Sequence, residues 1–163
     1  MNLEERILKI LEEDSRITPA QIAVMCDENE KTVCEIIQNL EKQNVILGYN
    51  TVINWEKCPT NNDVTAFIEL KVTPQRGEGF DKVAERIYKY PQVKSLYLMS
   101  GGFDIAVIIQ GKTMKSVALF VAETLAPMEH VISTATHFVL RKYKDNGVLF
   151  ENDEIDDRQV ITL

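Results

Sequence analysis

Two adjacent amides, Gln38 and Asn39, stand on a segment of helical period, KTVCEIIQNLEK, residues 31–42. A side-chain amide holds a donor beside an acceptor, which matches the major-groove edge of adenine. The charges around them are Lys31, Glu35, Glu41 and Lys42. Glu35 can accept only from cytosine, and phosphate repels it. A second cluster is SGGFD, residues 100–104. Gly101 and Gly102 let the backbone approach a ligand closely and adopt positive φ. Asp104 is the only acid between Glu85 and Glu123, and a carboxylate there suits an ammonium group. A third cluster is VISTATHF, where Ser133 should point to the opposite face from Thr134 and Thr136. Each cluster also has a plainer reading that stays open. The helix can simply pack a small domain through Val33, Ile36, Ile37 and Leu40. The glycines can be a hairpin turn, and the hydroxyl run can reflect strand propensity.

Other chemistries find no support. The chain has no Gly-rich phosphate loop, no nucleophile motif and no metal box, so neither an enzyme nor a cofactor is expected. Cys26, Cys34 and Cys58 are spaced 8 and 24 residues apart, which matches no zinc site, so reduced and unligated thiols are expected. His130 and His137 stand seven apart with no cysteine nearby, and a packed or exposed imidazole is the expectation for His137. No apolar run approaches the ~18 residues of a membrane span. MNLEERILKI resembles neither a signal nor a transit segment, so the expected setting is soluble and cytoplasmic.

These clusters need elements to hold them. LEERILKILEE, residues 3–13, places Leu3, Ile7, Leu8, Ile10 and Leu11 on one helical face. TPAQIAVMC starts a second helix, with Thr18 as cap, Pro19 in the first turn and Gln21 three residues on. Asn29 is the cap expected for the third. Three helices joined by short turns describe a helix-turn-helix domain. VILGYNTVINWE reads as a wing or a strand leading out of it, and KCPTNND, residues 57–63, as a linker. Trp55 should anchor that linker. Beyond it come strands at 64–73, 93–100, 103–110 and 131–143, with helices at 78–90 and 113–127. Gly101-Gly102 should join the second and third strands as a hairpin. The order β-α-β-β-α-β gives an α+β fold with a ferredoxin-like second half. The expected domains are 1–58 (helix-turn-helix with its linking strand), 62–144 (ferredoxin-like) and 145–163 (a polar tail whose last five residues could add an edge strand).

ILKILEEDSRITPAQIA, NVILGY, SGGFDIAVII and HVISTATHFVLRKYK, in this order and spacing, resemble the Lrp/AsnC family of leucine- and asparagine-responsive regulators. The likeness runs from residue 3 to about 144. It implies a transcription regulator whose N-terminal half binds double-stranded DNA. Its C-terminal half would form dimers, often octamers, and bind a small effector, commonly an amino acid, between subunits. In the family pattern the third helix carries a cap, two basic residues, an apolar residue and two more basic ones. Here those places hold Asn29, Glu35 with Ile36, Ile37, and Gln38 with Asn39. The family commonly adds an acid at the place of Gly102.

The expected DNA-facing residues are therefore Thr18, Asn29, Lys31, Thr32, Glu35, Gln38, Asn39 and Lys42. The expected effector residues are Met99, Gly101, Gly102, Phe103, Asp104, Ser133, Thr134 and Thr136, the last three from a neighbouring subunit. Met99 and Phe103 serve as walls. Phe67, Leu96, Leu98 and Ile105 should feed apolar surface to a partner. Charge weighs on this expectation. Net charge is −7, and residues 1–58 hold six Lys/Arg against eleven Asp/Glu. DNA binding depends on neutralised phosphates, so low affinity per domain is expected unless Arg16, Lys31, Lys42 and Lys57 gather in space. The alternative is an effector-sensing oligomer that has weakened or lost direct DNA contact and acts through a protein partner.

Overall fold

In the computed structural model, residues 1–73 and 79–150 are described. The chain divides into two compact units, Met1–Ile53 and Asn54–Leu163.

The first unit is three helices, α1 (Leu3–Glu13), α2 (Pro19–Cys26) and α3 (Glu30–Lys42). Local chemistry sets their starts. The Asn2 amide oxygen accepts from the Glu5 N–H at 2.8 Å, and the Glu5 carboxylate accepts from the Asn2 N–H at 3.2 Å. Thr18 and Gln21 form the same reciprocal cap on α2, with Pro19 just inside. Asp27 ends α2 in the left-handed region at φ 56°, which turns the chain sharply toward α3. Ile7, Ile22, Ala23, Cys26, Val33 and Ile37 close into one core, with Ile46 packed against them. The strand expected within residues 45–56 does not form. Val45 and Ile46 fold back to donate to the Leu40 carbonyl, and only one 3-10 turn, Trp55–Lys57, follows. A strand needs a ladder partner, and none pairs with this stretch among the described residues.

The second unit contains β1 (Val64–Val72), α4 (Asp81–Ile87), β2 (Val93–Leu98), β3 (Ile105–Gly111), α5 (Met114–Phe120) and β4 (Val131–Phe138). The sheet is antiparallel in the order β2-β3-β1-β4. Its helix-covered face holds Ala66, Ile68, Leu70, Ile105, Val107 and Ile109 against Val83, Ile87, Val117 and Leu125. The other face carries Phe67, Glu69 and Lys71 of β1 beside Ala106 and Ile108 of β3. Ile105 and Leu96, expected to serve a partner, instead pack against the core. Leu98 is exposed.

Some boundaries differ from expectation. The helix expected over 113–127 is α-helical only to Phe120, and Val121–Leu125 widens into a π turn. β4 stops at Phe138 rather than 143 because its partner runs out: the Val139 N–H reaches the Thr65 carbonyl at 2.9 Å, near the start of β1. The stretch expected as a polar tail opens with a hairpin, β5 (Lys144–Asp145) and β6 (Val148–Leu149), turning at Asn146 and Gly147 with positive φ. The edge strand expected of the last five residues lies outside the described residues.

Ile68 is fully buried at the middle of the sheet. Ile68→Ala should destabilise the second unit by about 2–5 kcal/mol, read as a lower urea midpoint with unchanged slope.

Candidate nucleic-acid interface and ligand turn

α3 divides by period. Val33, Ile37 and Leu40 are buried, while Lys31, Glu35, Gln38, Asn39 and Lys42 are exposed and Thr32 is half-buried. Gln38 and Asn39 thus present their amides outward from a helix held firmly on its other side. Two of the expected contacts have work inside the fold. The Thr18 hydroxyl caps α2, and the Asn29 amide oxygen accepts from the Lys31 N–H at 2.8 Å.

Of the cations expected to gather, two are paired with acids close in sequence. Lys31 lies 4.0 Å from Glu35, one helical turn on. Arg16 lies 3.4 Å from Asp14. Lys57 belongs to the second unit. The Arg6 guanidinium donates to the Met25 carbonyl at 3.2 Å and ties α1 to the end of α2. Exposed pairs of this kind contribute little, about 0–1 kcal/mol, so a phosphate can displace them at small cost. Behind α3 the Tyr49 hydroxyl donates to the Glu41 carboxylate at 2.8 Å. Desolvation, then this bond, raises the Tyr49 phenol above its ordinary range. At Asp14 the backbone N–H of Arg16 holds the carboxyl below its ordinary range.

In the second unit, β2 and β3 close around a loop from Met99 to Asp104. The Met99 N–H donates to the Asp104 carbonyl at 2.8 Å. Gly101 has φ 148°, a conformation L side chains rarely adopt. A Cβ built on Gly101 or Gly102 would meet nothing within 4 Å, so both face open space. Phe103 stands edge-on to Phe67 with ring centres 5.9 Å apart.

Asp104 has a structural duty that sequence periodicity does not show. Its carboxylate accepts from the Val72 N–H at 2.8 Å, where the register of β1 on β4 shifts. Its own N–H donates to the Leu70 carbonyl at 2.9 Å. One carboxylate oxygen therefore caps a bulge, and among the described residues no hydrogen bond is seen to the second. The start of β4 lies across β1 from this loop. Thr134 and Thr136 stand opposite Leu70 and Ile68 on the helix-covered face, whereas exposed Ser133 stands opposite Lys71 on the other. Among the described residues no hydrogen bond joins the loop to these hydroxyls. On the uncovered face His137 Nε2 lies 3.3 Å from Glu69 Oε1, beside the Phe67 ring. Sequence reading did not anticipate that pair, since it forms only across the ladder.

Residues 2–46 match the winged helix-turn-helix DNA-binding family, and residues 65–149 match the Lrp/AsnC ligand binding domain. An uncharacterized HTH-type transcriptional regulator of Bacillus subtilis (strain 168), YugG, is 47% identical over 98% of this chain and 96% of its own. The HTH-type transcriptional regulator FL11 of Pyrococcus furiosus is 28% identical over 91% and 94%. A transcriptional regulator of Neisseria meningitidis, NMB0573, solved as a complex with L-Met, has the same fold. Its TM-score is 0.71 at 21% identity, over 89% of this chain and 92% of that one. Nothing in these likenesses supports the reading in which direct DNA contact is lost.

Asp104→Ala should strand the Val72 N–H and cost about 1–3 kcal/mol of stability. Asp104→Asn keeps an acceptor at nearly the same volume and should cost less. Thermal melts of the two variants beside the parent check the order.

Proposed function

The chain belongs to the Lrp/AsnC family of transcriptional regulators, and on that premise we propose that it works in the cytoplasm as a homo-oligomer whose hold on DNA answers to a small amino acid. It is a regulator with a DNA-binding helix-turn-helix and a ligand-binding domain, not an enzyme. The observation that carries the DNA half is the outward display of Gln38 and Asn39 on a helix whose apolar side is buried. Paired amides suit adenine edges. With few cations, each unit gains little from phosphate, and backbone N–H groups at the start of α3 supply part of what is missing. Two or more linked units raise the effective concentration and make weak contacts sufficient. The uncovered sheet face, with Phe67, Phe103, Ile108 and exposed Tyr97, is the surface offered for a second copy.

Full-length protein should bind duplex DNA with a shallow dependence on salt. Glu35→Arg should bind more tightly and steepen the log–log salt slope by about 0.9 for each further phosphate it neutralises. A variant that binds no better at any salt would remove this face of α3 from the interface.

The effector is proposed to sit at the Met99–Asp104 loop, its ammonium on the second oxygen of Asp104 and its carboxylate on backbone N–H groups near Gly101 and Gly102. Ser133, Thr134 or Thr136 of a neighbouring copy would complete the site. L-methionine is the first candidate, because a protein of this fold has been solved with it. Calorimetry on the full chain should find one of the twenty amino acids binding, and Asp104→Asn should weaken it roughly ten- to a hundredfold. Sedimentation with and without that ligand should show a changed population of dimers and larger assemblies. Equal binding by parent and Asp104→Asn would assign the carboxylate to the bulge alone.

A further inference from the structure

The chain reverses sharply after α3. Asn44 takes the left-handed region at φ 56°. Its N–H donates to the Glu41 carbonyl at 3.0 Å, and the Val45 N–H to the Leu40 carbonyl at 2.9 Å. Ile46 then packs on the core of the first unit. The reversal carries Tyr49 back alongside the second half of α3, where its hydroxyl donates to Glu41 Oε1 at 2.8 Å. A groove of about 340 Å³ lies there. Leu11, Ile17 and Ile37 give it an apolar lining, and Gln38, Glu41 and Tyr49 line it too. One of the two outward amides of α3 therefore shares a groove with an acid and with the phenol that binds that acid.

Gln38 and Glu41 stand three apart on the helix, a spacing that makes their side chains neighbours. Their chemistries conflict. An adenine edge uses both halves of a glutamine amide, the N–H toward N7 and the oxygen toward the N6 amino group. A carboxylate accepts and cannot donate. Left loose beside Gln38, Glu41 would draw the amide N–H to itself, and its charge would make that bond stronger than a neutral one. Adenine would then have to displace a charged partner. Tyr49 removes the competitor. Among the described residues the Gln38 amide makes no hydrogen bond inside the fold, whereas Glu41 is held by Tyr49. Desolvation, then the Glu41 bond, raises the phenol above its ordinary range, so it stays protonated and able to donate. Lys42 is next in sequence, and adjacent residues on a helix do not face each other, so it is a poor substitute for Tyr49.

We propose, on the reading of α3 as the DNA-facing helix, that Tyr49 is a positioning residue for base recognition. It touches no base. It holds the Glu41 carboxylate behind α3 and leaves the Gln38 amide free for an adenine edge.

The test takes full-length protein and duplexes that the parent enriches from a randomised pool. Tyr49→Phe keeps the ring and loses only the hydroxyl. Tyr49 is 47% exposed, so this variant should fold. It should bind the enriched duplexes roughly three- to tenfold more weakly than the parent. Glu41→Ala takes the competitor away, and in that background Tyr49→Phe should cause no further loss. A tyrosine that merely braced the segment would give the same loss in both backgrounds. A second readout needs no DNA. The side-chain amide ¹⁵N signal of Gln38 should move in Tyr49→Phe and stay near the parent's once Glu41→Ala is added. Binding by Tyr49→Phe equal to the parent's, an equal loss in the Glu41→Ala background, or a Gln38 signal that stays still would each overturn the proposal. A parent that enriches no duplex removes α3 as the reader, and the role of Tyr49 with it.

Discussion

β1 is paired on both edges along most of its length, and the bulge at Asp104 and the Glu69–His137 pair take their places from that strand. Ala66, Ile68 and Leu70 are fully buried beneath the helices. Burial of an Ile or Leu side chain contributes about 1.5–3 kcal/mol. The ion pairs at the surface contribute about 0–1 kcal/mol each. Apolar burial therefore fixes the sheet, and polar groups adapt to it. The register of β1 carries the Glu69–His137 pair on one face and the bulge held by Asp104 at one end. A slip of one residue would exchange the two faces of the strand and disperse both at once.

The first unit obeys a different constraint. Its packing is secured by caps and a small apolar core, and its surface is left acidic. Lys31 and Arg16 each have an acidic neighbour in sequence and space. Long-range attraction toward DNA is correspondingly weak, and any recognition falls on short-range hydrogen bonds. Such bonds reward correct bases more than they reward DNA in general, so low non-specific affinity comes with the same surface.

The parts legible in the sequence were those with local causes. Thr18, Pro19 and Gln21 marked the start of α2, and Asn29 that of α3, because capping acts over three residues. Alternation and the glycine pair marked the succession of strands along the chain and the pairing of β2 with β3. The unread parts had non-local causes. Residues 45–56 have strand composition but no ladder partner among the described residues. The Asp104–Val72 bond spans 32 residues, and no period links the two. The Glu69–His137 and Asp63–Lys112 pairs exist only once strands are in register or brought to one end of the sheet. The β5–β6 hairpin is a different kind of miss. Asn146-Gly147 is a strong local turn signal, and a tail reading of the polar stretch passes over it.

The loop at Met99–Asp104 divides its residues into those that can vary and those that cannot. Gly101 is held by its backbone angle, and Asp104 by the N–H it caps. Gly102 has neither restraint: its φ is ordinary and open space surrounds it. Evolution can therefore place a side chain there, an acid included, without disturbing the sheet. Divergence in what this fold senses has an unobstructed route at one position, next to two that must stay as they are.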